Sequence, residues 1–246
     1  MSELATLIAQ LQAPEAAARS EAVLALGQAR ETAAVEALIH LLCTDAVMNV
    51  QEDITWALVR MRDAALMPLI AALSHEQAQA RHNIVHTLGK IGDARALDAL
   101  ITATTDTDSK VRYKAVYALG QVGDARALPA LAAVLDDPVQ EVQWMAREVL
   151  EGFGAAAVPH LIPRLEADSM QTRELAASLL GDAGDAAAVE PLIAALVCDD
   201  WQVRVAVVQA LGQIGDGRAR PALERVARED ADPRVRAMAG AMQKTL

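Results

Sequence analysis

The chain has 246 residues, 53% of them apolar but only 2% aromatic, and a formal net charge of −11. Unless one face is locally basic, that balance excludes a general phosphate-backbone binder and a protein held on anionic lipid, since both need clustered Lys and Arg. The apolar content is mostly alanine and leucine, which enter helices at little entropic cost, whereas strand cores usually draw on more aromatic and β-branched residues.

Taken from the N-terminus, the sequence repeats itself. Unit 1 (1–30) carries Ala18-Arg19 followed by Ser20-Glu21. Ser2 to Gln12 lacks the basic start and long apolar run of a secretory signal. Unit 2 (31–63) has Val50-Gln51 in the same slot, with Asn49 before it and Glu52, Asp53, Trp56 and Arg60 after it; its end reads Leu58-Val59 and Asp63. Unit 3 (64–93) has Ala80-Arg81, then His82, Asn83 and His86, and closes on Gly89-Lys90-Ile91-Gly92-Asp93. Unit 4 (94–124) has Val111-Arg112, then Tyr113, Lys114 and Tyr117, and closes on Gly120-Gln121-Val122-Gly123-Asp124. Unit 5 (125–154) has Val142-Gln143, then Trp144, Met145 and Glu148, with Glu151 and Phe153 near its end. Units 6 (155–185), 7 (186–216) and 8 (217–246) have Thr172-Arg173, Val203-Arg204 and Val235-Arg236. Successive slots lie 30 to 32 residues apart and tile the chain. A fixed period of this length is the mark of a stacked repeat protein.

Each unit reads as two helices. In unit 4 the spacing predicts an outer helix over Ala94 to Thr104, with Leu97, Leu100 and Ile101 on one stripe. It predicts an inner helix over Lys110 to Val122, with Val111, Ala115, Ala118 and Leu119 on another. Asp93, Asp124, Asp185 and Asp216 stand where they would cap the next outer helix, and Asp63 keeps that place in unit 2. Gly92, Gly123, Gly184 and Gly215 stand where a left-handed residue would end the inner helix. Neither stripe is buried by its own unit, so neighbours must stack. Cys43 and Cys198 are then five units apart, too far to bridge, and two free thiols point to the cytoplasm. No apolar run of about 18 residues exists, so no membrane span is expected. The apolar last helix, with Met238, Met242 and Leu246, is expected to leave an end able to pair.

The pattern Val-Arg-x-x-Ala-x-x-Ala-Leu-Gly-x-Ile-Gly-Asp-x-Arg-Ala-Leu, as in Val111-Arg112 to Leu128, resembles the HEAT-like repeats first associated with phycobilin lyases. The resemblance spans the chain and implies an all-α, right-handed superhelical solenoid of about eight two-helix repeats. It implies structural roles for Arg19, Arg81, Arg112, Arg173, Arg204 and Arg236, forming a ladder with the capping aspartates. It also implies which positions face the concave side. Five of the six aromatic residues, Trp56, Tyr113, Tyr117, Trp144 and Trp201, fall on them, and Phe153 falls in the core. Trp56, His86 and Tyr117 then form one column, and His82, Tyr113 and Trp144 the next.

The concave surface of units 2 to 5 is therefore the expected binding face, with Asn49, Glu52, Asp53, Trp56, Arg60, His82, Asn83, His86, Tyr113, Lys114, Tyr117, Trp144, Met145 and Glu148 as contacts. Exposed Trp and Tyr are the usual hot-spot residues; the other reading is that these rings only fill gaps between inner helices. Units 2 and 5 depart from the pattern at Gln51, Val59, Gln143, Glu151 and Ala155. Either they frame a pocket or they have simply drifted.

His82 and His86 share a helix face near Glu52 and Asp53, a set that Zn or non-haem iron accepts. The spacing is common, so no metal and no cofactor is expected. The resembling deoxyhypusine hydroxylase places His-Glu after the slot, whereas this chain has Ser20-Glu21, Glu52-Asp53, His82-Asn83, Tyr113-Lys114 and Trp144-Met145 there. The one His-Glu pair, His75-Glu76, lies elsewhere. The expected function is a non-enzymatic scaffold for a protein partner or extended ligand, with no nucleic acid and no membrane. The alternative is a phycobilin lyase or lyase-like chaperone holding a bilin-type ligand.

Overall fold

Paired helices follow one another along the chain, as a computed structural model describing residues 2–243 lays them out. In order they are α1 (Glu3–Gln10), α2 (Ala16–Ala29), α3 (Val35–Thr44), α4 (Met48–Arg60), α5 (Arg62–Ala72), α6 (Ala78–Ile91), α7 (Leu97–Ala103) and α8 (Ser109–Val122). There follow α9 (Leu128–Ala133), α10 (Gln140–Phe153), α11 (Val158–Leu161), α12 (Met170–Ala183), α13 (Val189–Ala195), α14 (Trp201–Ile214), α15 (Arg220–Glu229) and α16 (Pro233–Met242). Short 3-10 turns precede or follow most outer helices, and no strand occurs among the described residues. The fold is all-α. Leu246 lies outside the described residues.

The chain divides into two units, Met1–Asp124 and Ala125–Leu246. In the first, the inner helices α2, α4, α6 and α8 stack in order, with α3, α5 and α7 behind them. Leu26, Leu38, Ile54, Leu66, Leu88 and Leu100 are fully buried between the layers. In the second, α10, α12, α14 and α16 stack in the same way over Val142, Leu161, Leu180, Leu192 and Leu211. Each such side chain contributes roughly 1.5–3 kcal/mol of transfer free energy.

Chain reversals follow the aspartates and glycines. Gly92 ends α6 at φ 64, a left-handed conformation that a Cβ would strain, and Gly123, Gly184 and Gly215 do the same. The Asp93, Asp185 and Asp216 carboxylates then accept the backbone N–H two residues on, so they cap a 3-10 turn ahead of each outer helix. Asp63 does not cap. Unit 2 has Met61-Arg62 where unit 3 has Ile91-Gly92, so α5 starts early and takes Asp63 into its first turn.

The arginine ladder exists, but its acids differ from those anticipated. Arg19 donates through Nε and Nη2 to Asp45, at 2.6 and 3.2 Å. Arg81 grips Asp106 at 2.6 and 2.7 Å, and Arg204 grips Asp230 at 2.8 and 3.0 Å. These aspartates lie in the turn before the next inner helix, six residues ahead of its slot. Each also accepts an N–H of its own turn, from Val47, Asp108 and Asp232. Asp93 and Asp216 are held by their own neighbours, Arg95 and Arg218. A capping aspartate follows the opposite end of the inner helix from the slot, as Asp93 follows α6 while Arg81 lies in its first turn, which is why the ladder passes it by.

Candidate functional site

A pocket of about 160 Å³ opens on the inner-helix face of the first unit, between α4, α6 and α8. Its cause lies in the helix crossings. At Gly27 an added Cβ would come within 2.8 Å of the Ala57 Cβ, and at Gly89 within 2.8 Å of the Ala118 Cβ, so only glycine allows those inner helices to touch. Between α4 and α6 the matching positions hold Val59 and Thr87 instead of Gly and Ala. There the two helices pack less closely than α2 with α4 or α6 with α8. The buried Thr55 and Thr87 hydroxyls bond each other at 3.1 Å across the floor of the gap.

The walls are Glu52 and Gln51 from α4, His82 and His86 from α6, and Lys114 from α8. Met48, Glu52 and Trp56 recur every fourth residue and share one stripe of α4. Met48 is 73% exposed and Trp56 39%, so two large apolar groups flank the acid. Burial pushes both imidazoles below the usual histidine range; Asn83 opposes this at His82, while Lys114 adds to it at His86. Both are therefore neutral at pH 7. The His86 Nε2 is buried without a hydrogen-bond partner, for Glu52 Oε1 stands 3.8 Å away. Burial likewise lowers the Lys114 ammonium, which lies 5.3 Å from the Tyr117 ring centre.

The expected contacts divide in the structure. Asn49, Glu52 and Trp56 are exposed, and Asp53, His82, His86, Tyr113, Lys114 and Tyr117 half-buried, all in the first unit. Asn83 is 6% exposed; its amide donates to the Leu42 carbonyl and accepts from Gln79. It positions α6 against α3 and also lines the pocket, with its amide already engaged. Arg60 donates to the Gly27 carbonyl and lies 4.9 Å from the Trp56 ring centre, so it braces that ring. In the second unit Trp144 and Glu148 are exposed on α10, whereas Met145 is buried beneath them. Phe153 is half-buried instead of a core residue. Trp201 carries the Arg234 guanidinium 3.2 Å above its ring. Met48, Gln51, Thr55 and Gln79 line the pocket unforeseen. Met48 occupies a concave position of the repeat, so that signal was present; Thr55 gave none.

His82 and His86 gain no further ligands: no group of three or more His, Cys, Asp or Glu is placed to hold a metal among the described residues. No helix there is long and apolar enough to cross a membrane. His75, of the His-Glu pair, lies in the turn before α6, where its Nδ1 accepts the Gln77 N–H.

The family model described as HEAT repeats matches residues 4–69, 66–151 and 158–243. Among curated proteins none matches the sequence. Solved structures similar in fold include a HEAT-like repeats protein from Thermococcus onnurineus NA1, at 14% identity over 87% of this chain and 96% of that one, with a TM-score of 0.53. A chain of the complex of CpcE and CpcF of phycocyanin lyase from Nostoc sp. PCC7120 is 21% identical over 100% and 96%, with a TM-score of 0.44. Human deoxyhypusine hydroxylase is 22% identical over 99% and 95%, with a TM-score of 0.45.

Proposed function

Because this chain belongs to the HEAT-repeat family, we propose that it is a non-enzymatic binding scaffold, holding an extended segment of a protein partner on its inner-helix face. One observation carries the reading: a buried, unpartnered His86 Nε2 in a pocket with exposed Met48 in its wall, on the α4 stripe that also carries exposed Trp56. A polar atom out of water without a partner costs about 1–3 kcal/mol, which an incoming hydrogen-bonding group would recover. A pocket of about 160 Å³ has the room of about five waters, the scale of one side chain. Neutral His82 and His86, with Glu52 and Gln51, favour an amide or hydroxyl there over a charged group. Met48 supplies apolar area at the pocket, and Trp56 extends the apolar stripe of α4 beyond it, as hot spots usually do. The free, half-buried thiols of Cys43 and Cys198 support a reducing compartment, the cytoplasm.

The test is affinity capture from the native host with the wild type beside Trp56→Ala and His86→Phe. Bound material is read by mass spectrometry and by visible absorbance. A protein retained by the wild type and lost from both variants is the expected result. Identical captures from all three would remove this face as the binding site. A coloured ligand without a protein would replace the scaffold reading with the chromophore chaperone.

A further inference from the structure

Slot arginines and turn acids vary together along the chain. Arg19, Arg81 and Arg204 meet Asp45, Asp106 and Asp230 of the following repeat. Where the slot is Gln51 or Gln143, the turn position of the following repeat holds no acid but His75 or Ala167. Each glutamine donates instead to its own turn, to the Asp45 and Asp137 carbonyls at 2.6 Å. Arg173 breaks the rule. It is an arginine, yet the matching position is Cys198.

The guanidinium is left without its counter-charge. The Arg173 Nε, the atom that grips the aspartate in the other repeats, is buried with no hydrogen-bond partner. Burial pushes the Cys198 thiol above its usual range, so it stays neutral at pH 7 and supplies no anion. Its Sγ faces the Asp200 carbonyl at 3.5 Å. Arg173 and Cys198 together line a cleft of about 320 Å³ in the second unit. Most of the remaining wall is apolar, from Ile162, Leu165, Pro191 and Ala194, with Val197 80% exposed at one side. Glu166, the acid in the lining, is exposed to water.

We propose that this cleft binds a small carboxylic acid with a short apolar tail. Its carboxylate takes the two-point place against Arg173 that aspartate takes in the other repeats, and its tail lies on the apolar wall. The planar guanidinium fork matches a carboxylate in two hydrogen bonds, which a neutral head group cannot supply. The site is independent of the pocket between α4 and α6.

Octanoate is the probe, titrated calorimetrically into the full chain, with 1-octanol as the uncharged control. Octanoate should bind at one site per chain, and 1-octanol at least about tenfold more weakly. Arg173→Gln should weaken octanoate by a similar factor. Cys198→Asp supplies the carboxylate from within. It should abolish octanoate binding and raise the melting temperature by at least about 2 °C. Equal binding of octanoate and 1-octanol would reduce the cleft to an apolar surface and overturn the proposal. So would a Cys198→Asp chain that is folded but still binds octanoate unchanged. Because that variant is expected to gain stability, a folding defect in Arg173→Gln leaves the test intact.

Discussion

Trp56 has two neighbours that Trp144 lacks. Its ring edge lies against Gly27, where an added Cβ would stand 2.7 Å from it, and Arg60 covers its face. Trp144 is 56% exposed on α10. Gap filling and binding are therefore not exclusive at Trp56. Trp56→Ala should destabilise the protein by about 1–2 kcal/mol and Trp144→Ala by no more than about 0.5 kcal/mol, read by urea denaturation. Equal losses would mean that Trp144 is packed as well. At His82 and His86 the folded chain resists protonation, whereas the unfolded chain accepts a proton near pH 6.5. The unfolded state thus binds more protons below that value, and stability falls as pH drops from 7 towards 5. The double variant His82→Gln/His86→Gln should flatten that slope; an unchanged slope would place the titration elsewhere. At lower pH a second loss is expected, because the Arg81 guanidinium holds the Asp106 carboxyl below its usual range. Stability from that pair is present above the unfolded carboxylate value and lost as pH falls through the folded one.

Between elements, the size of two residues sets whether inner helices touch. Gly27 with Ala57 and Gly89 with Ala118 allow contact; Val59 with Thr87 does not. Val59→Gly combined with Thr87→Ala should draw α4 and α6 together, close the pocket and weaken partner capture. Glycine costs about 1 kcal/mol inside a helix, so the net change in stability should be small. An open pocket in the crystal structure of that variant would assign the spacing to other residues. The ladder acts at the same scale. Arg204 and Asp230 are 11% and 7% exposed, so Arg204→Ala leaves a largely buried carboxylate behind. That should cost about 1–3 kcal/mol, between an exposed pair and a fully buried one. Arg95, which bonds exposed Asp63 at 3.2 Å, should matter much less when removed. Similar losses from the two variants would deny the turn aspartates any special role.

Across the whole chain, stability in a repeat array is a sum of units and their neighbours. Removing residues 217–246 takes away α15 and α16, the Arg204–Asp230 bridge and the Arg234 cover on Trp201. Met242 also leaves Gly212, against which it packs. The shortened chain should melt lower but still cooperatively, keep its helical circular dichroism, and show red-shifted Trp201 fluorescence. Loss of all helical signal would show that the array cannot fold without its last pair.

The period of 30 to 32 residues, the stripes at helical spacing and the Gly-Asp ends determined the all-α fold class and, in the unit read in detail, the limits of α8 to within one residue. These signals are local, since each reports which side of its own helix meets the core. Tertiary structure alone decided which aspartate meets the slot arginine, because that pairing joins different repeats across a turn. It alone decided that Asn83, which lines the pocket beside His82, is 6% exposed and spends its amide on the Leu42 carbonyl, while His82 stays half-buried. Adjacent helical positions differ by about 100°, and only the neighbouring helix fixes which of them is covered. The Arg173–Cys198 mismatch was present in the sequence throughout. It acquired meaning once the other arginines had shown where their carboxylates stand.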